Sequence, residues 1–220
     1  MENEMKIGII GSGMVGQQLG LGLLKSGHEV KIGTRSPERL NEWRQKAGGK
    51  GSVGSFEDAA KFGEMVFLAT KWEKGATENA INMAGIKNFA SKIVVDVTNP
   101  LIFEAEGQPP KMALDYPLSG GAMVQSWIPQ AKVVKAFNII NASVMANPKL
   151  KEGTPDLFIA GNDSTAKQAI KDIATKWGWA DIHDLGGIEQ SYALEALTMI
   201  WIIYAFQHNK WGHAFKLLKE

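Results

Sequence analysis

The 220-residue sequence contains no cysteine. This excludes a disulfide framework and a thiolate metal site, and it agrees with a reducing compartment. Neither sign of charge is in excess: 24 Lys and Arg face 23 Asp and Glu, leaving a net charge of +1. Nothing in that balance suggests a surface for nucleic acid. Long hydrophobic runs are also missing. The most apolar stretch, Leu194 to Phe206, is too short to span a bilayer and carries Glu195 and Thr198. The first residues, Met1 to Lys6, are short and polar, unlike a signal peptide. A soluble, cytoplasmic protein is expected. The four histidines, His28, His183, His208 and His213, show no ligand spacing with carboxylates, so no metal site is expected. No internal repeat or low-complexity segment is visible.

What is present is organised around Lys6 to Gly16. Ile7, Ile9 and Ile10 form a β-branched run suited to a buried parallel strand. Gly11, Gly13 and Gly16 follow at G-x-G-x-x-G spacing. In such a turn the first glycine permits the bend, the second lets a pyrophosphate approach the backbone, and the third lets helix and strand pack closely. A helix is predicted from about Met14 to Ser26, with Gly27 as its cap, and a second strand from Glu29 to Gly33. Strand, glycine turn, helix and strand together predict a dinucleotide site. The phosphates would meet the free N–H groups and positive dipole end of the helix.

The end of the second strand predicts which dinucleotide. An NAD site usually places Asp or Glu there for the ribose hydroxyls. Here the run is Gly33-Thr34-Arg35-Ser36, without an acid. A guanidinium between two hydroxyls suits a 2′-phosphate, and Arg39, one turn into the next helix, adds a second cation. NADP(H) is therefore expected over NAD(H). Ser36 and Pro37 also read as the cap and first residue of that next helix.

Further along, a helix runs to about Lys46, and Gly48 to Gly54 read as a flexible connection. Ser55 to Asp58 resembles a capping box. Met65–Ala69, Lys92–Val97 and Lys132–Phe137 are predicted strands, ending in Thr70-Lys71-Trp72, Thr98-Asn99-Pro100 and Asn138. Leu101 to Leu118 reads as a long loop that acts as a lid or covers the cofactor. A helix is expected from Gly120 to Ile128. Beyond Asn138 come a strand at Leu157–Ala160, a helix at Ser164–Trp177, a strand at Ala180–His183 and a long helix from about Ile188 to Phe206.

The alternation predicts an α/β fold with a Rossmann-type, doubly wound parallel sheet and a smaller C-terminal α/β part ending in a long apolar helix. The division expected is 1–138 for NADP binding and 139–220 for the acceptor cleft. In the last helix Leu194, Leu197, Trp201, Tyr204 and His208 form one stripe, and Ile200, Ile202, Ile203 and Phe206 make it apolar nearly all round. Such a helix is buried on most sides, and a homodimer is expected to cover it.

The glycine turn, the Gly-Thr-Arg-Ser run, Trp72-Glu73, Val134 to Asn138 and Ala160 to Asp163 occur in this order in one group of proteins. The chain resembles the F420H2:NADP oxidoreductases, over nearly its whole length, and is similar to the cytosolic domain of STEAP-type metalloreductases. The resemblance implies a second redox ring laid against the nicotinamide in the cleft between the two parts. It implies that Ser12, Gly13, Met14 and Val15 contact the pyrophosphate, and that Thr34, Arg35, Ser36 and Arg39 hold the 2′-phosphate. Thr70 and Trp72 would pass near the nicotinamide, and Ala136, Phe137 and Asn138 would line its amide. Asn99-Pro100 and Phe137-Asn138 resemble the metalloreductase loops, and the 101–118 segment looks longer than in the archaeal deazaflavin enzymes. The hydride partner is thus a deazaflavin of the F420 type, an ordinary flavin (FMN or FAD), or another small-molecule acceptor.

Hydride transfer between stacked rings needs alignment and exclusion of water more than acid–base help, so no catalytic side chain is expected. Two other readings stay open at this point. One is an NADPH-dependent reductase of a small imine or hydroxyacid, which usually needs a proton donor on the C-terminal helix. The other is a non-catalytic NADP(H) sensor.

Overall fold

The computed structural model describes residues 4–220. Alternation of strand and helix begins at β1 (Lys6–Ile10), α1 (Met14–Lys25) and β2 (Glu29–Gly33). It continues with α2 (Asn41–Ala47), β3 (Gly51–Gly54), α3 (Phe56–Phe62), β4 (Met65–Leu68), α4 (Ala76–Ala84) and β5 (Ile93–Asp96). A small hairpin, β6 (Leu101–Ile102) and β7 (Lys111–Met112), leads to α5 (Gly120–Trp127) and β8 (Lys132–Lys135). The last elements are β9 (Leu157–Gly161), α6 (Ser164–Trp177), β10 (Ile182–Asp184) and α7 (Ser191–His208).

Eight strands form one sheet in the order β10-β9-β8-β5-β4-β1-β2-β3. From β3 to β8 every pairing is parallel, in the arrangement of a doubly wound nucleotide-binding fold. The β8–β9 pairing is antiparallel, so β9 and β10 run opposite to the rest. Ile7, Ile9 and Ile10 are wholly buried, as a strand covered on both faces requires. One core layer joins Leu19, Leu23, Ile170 and Trp177 from α1 and α6, and the other joins Ala59, Ile81 and Val124 from α3, α4 and α5.

Three expectations change. The glycine-rich 48–54 connection contains an edge strand, β3, paired from Val30↔Gly51 to Gly33↔Gly54. Backbone bonds to β2 make this strand, and a single Val53 offers too little hydrophobic pattern to announce it. The 101–118 segment is not an open loop at its base: β6 and β7 pair, and Ala113 N–H donates to Pro100 O at 2.7 Å. The buried stripe of α7 is also rotated from the apolar one. It holds Ser191, Leu194, Glu195, Thr198, Trp201, Ile202 and Ala205, while Ile200, Ile203 and Tyr204 are 59%, 45% and 45% exposed. Polar partners on the sheet draw Glu195 and Thr198 inward.

The C-terminal residues dock by polar bonds. The Trp201 indole N–H donates to His213 O at 2.8 Å, and Asp156 N–H donates to Phe215 O at 3.0 Å. The buried Asp156 carboxylate accepts from Leu217 N–H at 3.0 Å and Lys216 Nζ at 3.1 Å, and lies 3.0 Å from His183 Nε2. Asp181, paired with Lys219, stands close enough to make a cluster with Asp156 and His183 that the sequence spacing did not reveal.

Burial opposes charge on Asp156, but the bonds from His183, Leu217 and Lys216 outweigh it and hold the carboxyl at about 2, against 3.8 ordinarily. A depressed carboxyl stabilises the fold above its unfolded pKa, and that gain disappears as pH falls through the folded value. Asp156→Asn should therefore cost about 2 kcal/mol at pH 7. The gap between variant and parent should close between about pH 4 and pH 2, as read by urea unfolding across that range.

Candidate functional site

The turn after β1 is shaped by contacts that only glycine tolerates. Gly11 has φ +121°, and a Cβ there would lie 2.3 Å from Ala69 O. A Cβ on Gly16 would lie 2.1 Å from Gly11 O. Gly13 differs: a Cβ there would meet nothing within 4 Å. Two glycines are thus demanded by the protein's own packing, and the third borders open space that suits a pyrophosphate. No side chain caps α1 at Gly13, and no acidic residue sits in its first turn. Met14 is 70% exposed beside it, with Ser12 and Val15 partly buried.

The end of β2 is tied to this turn. Ser12 Oγ and Thr34 Oγ1 are 2.8 Å apart, and Thr34 Oγ1 accepts from Ser36 N–H at 3.1 Å. Ser36 stands at the cap position before Pro37, yet its hydroxyl makes no capping bond. Arg35 and Arg39 are exposed and have no ion-pair partner among the described residues. Two guanidinium groups without ion pairs among the described residues therefore flank a strand end that Thr34 ties to the glycine turn.

A cleft of about 190 Å³ opens at the ends of β4 and β5. Val15, the loop from Ala69 to Glu73, Val97 to Asn99, Leu101 and Phe103 line it. Thr70 Oγ1 donates to Thr77 Oγ1 at 3.0 Å, which ties the loop to α4. Trp72 stacks on Trp127 at 5.6 Å. Gly11 to Gly16, Thr34, Thr70, Trp72 and Asn99 thus gather along the carboxyl edge of the parallel strands.

Ala136, Phe137 and Asn138 follow β8 on the same edge but are buried behind the cleft. Phe137 adopts φ +60°, uncommon for a bulky residue. Its ring lies in the core, 5.3 Å from that of Trp177 and 6.0 Å from that of Trp179. Phe137 as a whole is 1% exposed and does not line the cleft. Asn138 Nδ2 lies 2.9 Å from Asn99 Oδ1 and 3.0 Å from Thr198 Oγ1.

Sequence reasoning passed over Lys135 and Asp96. The Lys135 side chain is fully buried, with Nζ 2.8 Å from Asp96 Oδ2 and 2.8 Å from Glu195 Oε1. Its third contact is Thr98 O, at 2.8 Å. Glu195 in addition accepts from Gly120 N–H at 2.9 Å and Gly121 N–H at 3.0 Å, at the start of α5. Burial disfavours the ammonium, but Asp96 and then Glu195 outweigh it, so the Lys135 pKa is raised and the residue stays charged. The two carboxylates leave one negative charge over, and the helix N-terminus faces it. The available signal was a pair of short apolar strands, Ile93–Asp96 and Lys132–Lys135, each ending on a charge.

Strand order and glycine turn define a Rossmann-type dinucleotide-binding fold. The family profile described as NADP oxidoreductase coenzyme F420-dependent matches residues 6–100. A crystal structure from Arthrobacter sp. FB24, provisionally described as an F420-dependent NADP-reductase, shares 34% identity at TM-score 0.91, covering 98% of this chain and 100% of that one. The F420-dependent NADP reductase of Methanocaldococcus jannaschii is 29% identical over 97% of this chain and 98% of its own. The metalloreductase STEAP3 of Rattus norvegicus is also 29% identical, over 88% of this chain, but the match spans only 36% of that longer protein. The chain belongs to the F420-dependent NADP oxidoreductase family.

Removing the buried ammonium would leave two carboxylates uncompensated. Lys135→Met is expected to lose about 3–5 kcal/mol of stability, measured by chemical denaturation at neutral pH. A loss below about 1 kcal/mol would contradict the charge assignment.

Proposed function

We propose that this protein transfers hydride between NADP(H) and a planar ring acceptor of the deazaflavin, F420 type. The observation that carries the reading is the run at the end of β2. Thr34 is bonded to the glycine turn, Ser36 makes no capping bond, and among the described residues Arg35 and Arg39 have no ion-pair partner; a Cβ at Gly13 would meet nothing within 4 Å. In this reading Ser12 to Val15 bind the pyrophosphate, and Thr34, Arg35, Ser36 and Arg39 hold the 2′-phosphate. The nicotinamide lies at the cleft beside Thr70, Trp72 and Asn99, with the backbone of Ala136, Phe137 and Asn138 behind it. Bound NADP(H) supplies or accepts the hydride; the chain aligns the rings and excludes water.

Residues 1–138 would carry the nucleotide and 139–220 the far side of the acceptor cleft. The acid on α7 supports a ring acceptor over a small imine or hydroxyacid. Such a substrate needs a proton donor, and Glu195 is fully buried against Lys135 and the start of α5. A second copy of the chain would cover the exposed Ile200 and Ile203. Among the described residues no helix is long and apolar enough to cross a membrane.

Arg35→Ala should weaken NADPH binding by about 2 kcal/mol, roughly thirtyfold, and leave NADH nearly unchanged. Calorimetric titration with both dinucleotides checks this, and equal losses would sink the 2′-phosphate assignment. Anaerobic mixing with NADPH and, in turn, F420, FMN, FAD, a quinone and ferric chelate tests the acceptor. Rapid loss of nicotinamide absorbance with F420 alone is the expected result. Turnover with FMN or FAD instead would replace the deazaflavin by an ordinary flavin. Tight NADPH binding without turnover would favour the sensor.

A further inference from the structure

The buried charges and amides beside the cleft converge on two residues that line it, Thr98 and Asn99. All three polar atoms of Thr98 are committed. Its N–H and Oγ1 donate to Asp96 Oδ1 at 2.9 and 2.7 Å, and its carbonyl accepts from Lys135 Nζ at 2.8 Å. The Asn99 side chain is held at both ends. Nδ2 donates to Asn138 O at 2.9 Å, and Oδ1 accepts from Thr198 Oγ1 at 3.0 Å. Two of these chains of bonds begin on α7. Glu195 acts through Lys135, and Thr198 acts directly on Asn99 and Asn138.

We propose that Glu195 and Thr198 are positioning residues for the nicotinamide end of the cleft. The inference rests on the NADP(H) reading above. Their spacing of i, i+3 puts both on the same face of α7, one turn apart. That face is the buried one, although apolar residues were available for it on either side. A buried ion pair is weak evidence for stability, because well-packed apolar residues often serve as well. What the polar arrangement adds is direction. Each bond fixes a donor and an acceptor at one distance and angle, where hydrophobic packing would allow several registers. Glu195 also holds the first N–H groups of α5, so the Thr98–Asn99 turn, β8, α5 and α7 share one set of bonds. The cleft wall supplied by residues 97–99 is therefore set from a helix about a hundred positions later in the chain.

The 2′-phosphate end provides an internal control. β2 is separated from β5 by β1 and β4, about 14 Å at roughly 4.8 Å per strand. Glu195→Gln keeps the shape but loses one acceptor and the charge, while Lys135 retains Asp96. Thr198→Val removes only the hydroxyl, and Thr198→Ser restores it. The experiment titrates parent and variants with 2′,5′-ADP by calorimetry and with NADPH by nicotinamide fluorescence. Glu195→Gln and Thr198→Val should bind 2′,5′-ADP within about twofold of the parent, as expected of distant sites. Both should bind NADPH with altered nicotinamide emission, and Thr198→Ser should return the parental emission. Parental NADPH emission in both variants would overturn the proposal. So would a parallel loss of 2′,5′-ADP and NADPH affinity, because the effect would then be general. If Glu195→Gln does not fold, the Thr198 pair decides alone. A parent that binds neither ligand would instead overturn the NADP(H) reading itself.

Discussion

The structure depends on the reversal of connection direction at β1. The chain leaves β1 toward β2 and β3 on one side, and returns to β4, β5 and β8 on the other. The connections therefore diverge and cannot cover the turn between them. That turn is left as a crevice whose floor is backbone: Gly11 against Ala69 O, and Gly16 against Gly11 O. Ser12 and Thr34 bind across it, and the cleft at Thr70 and Asn99 lies along the same edge. A mobile, fully solvated loop could not hold these donors in place for a ligand. A crevice between two diverging halves of one sheet can, because each wall is the end of a buried strand.

The two ends of that crevice are stabilised in different ways. At the end of β2 the guanidinium groups of Arg35 and Arg39 are exposed and have no ion-pair partner among the described residues. At the other end the charges are buried and already satisfied: the Lys135 ammonium has three oxygen contacts, and none is left for a ligand. The first arrangement favours binding and electrostatic steering. The second favours a defined shape. Directional bonds between buried groups fix a wall to fractions of an ångström, which exposed charges do not.

Regular features were legible in the chain. The Ile7 to Gly16 pattern specified a strand and a glycine turn, because a buried strand and a positive-φ bend each require particular residue types. The run after Gly33 reads as acid-free and basic from charge alone, and Arg35 and Arg39 are exposed there in the fold. Helices with strong caps, such as Ser55–Asp58 before α3 and Asp163 before α6, stand where their capping residues placed them.

Edge pairing and long-range polar bonds were not legible. β3 exists because β2 offers it a row of backbone partners, and its own residues carry almost no pattern. Phe137 reads as a site residue, and neither its positive φ nor the packing of its ring beside Trp177 and Trp179 could be taken from the sequence. The buried face of α7 could not be taken from hydrophobic periodicity, since apolar residues surround the helix. Composition and local spacing determined the nucleotide fold, the glycine turn and the cation-lined strand end, because those rest on backbone geometry and charge within a few residues. Tertiary structure alone decided which face of α7 is buried and where Lys135, Asp96 and Glu195 meet. A buried charge is tolerable only where distant segments bring its partners into contact, and no local pattern encodes that meeting.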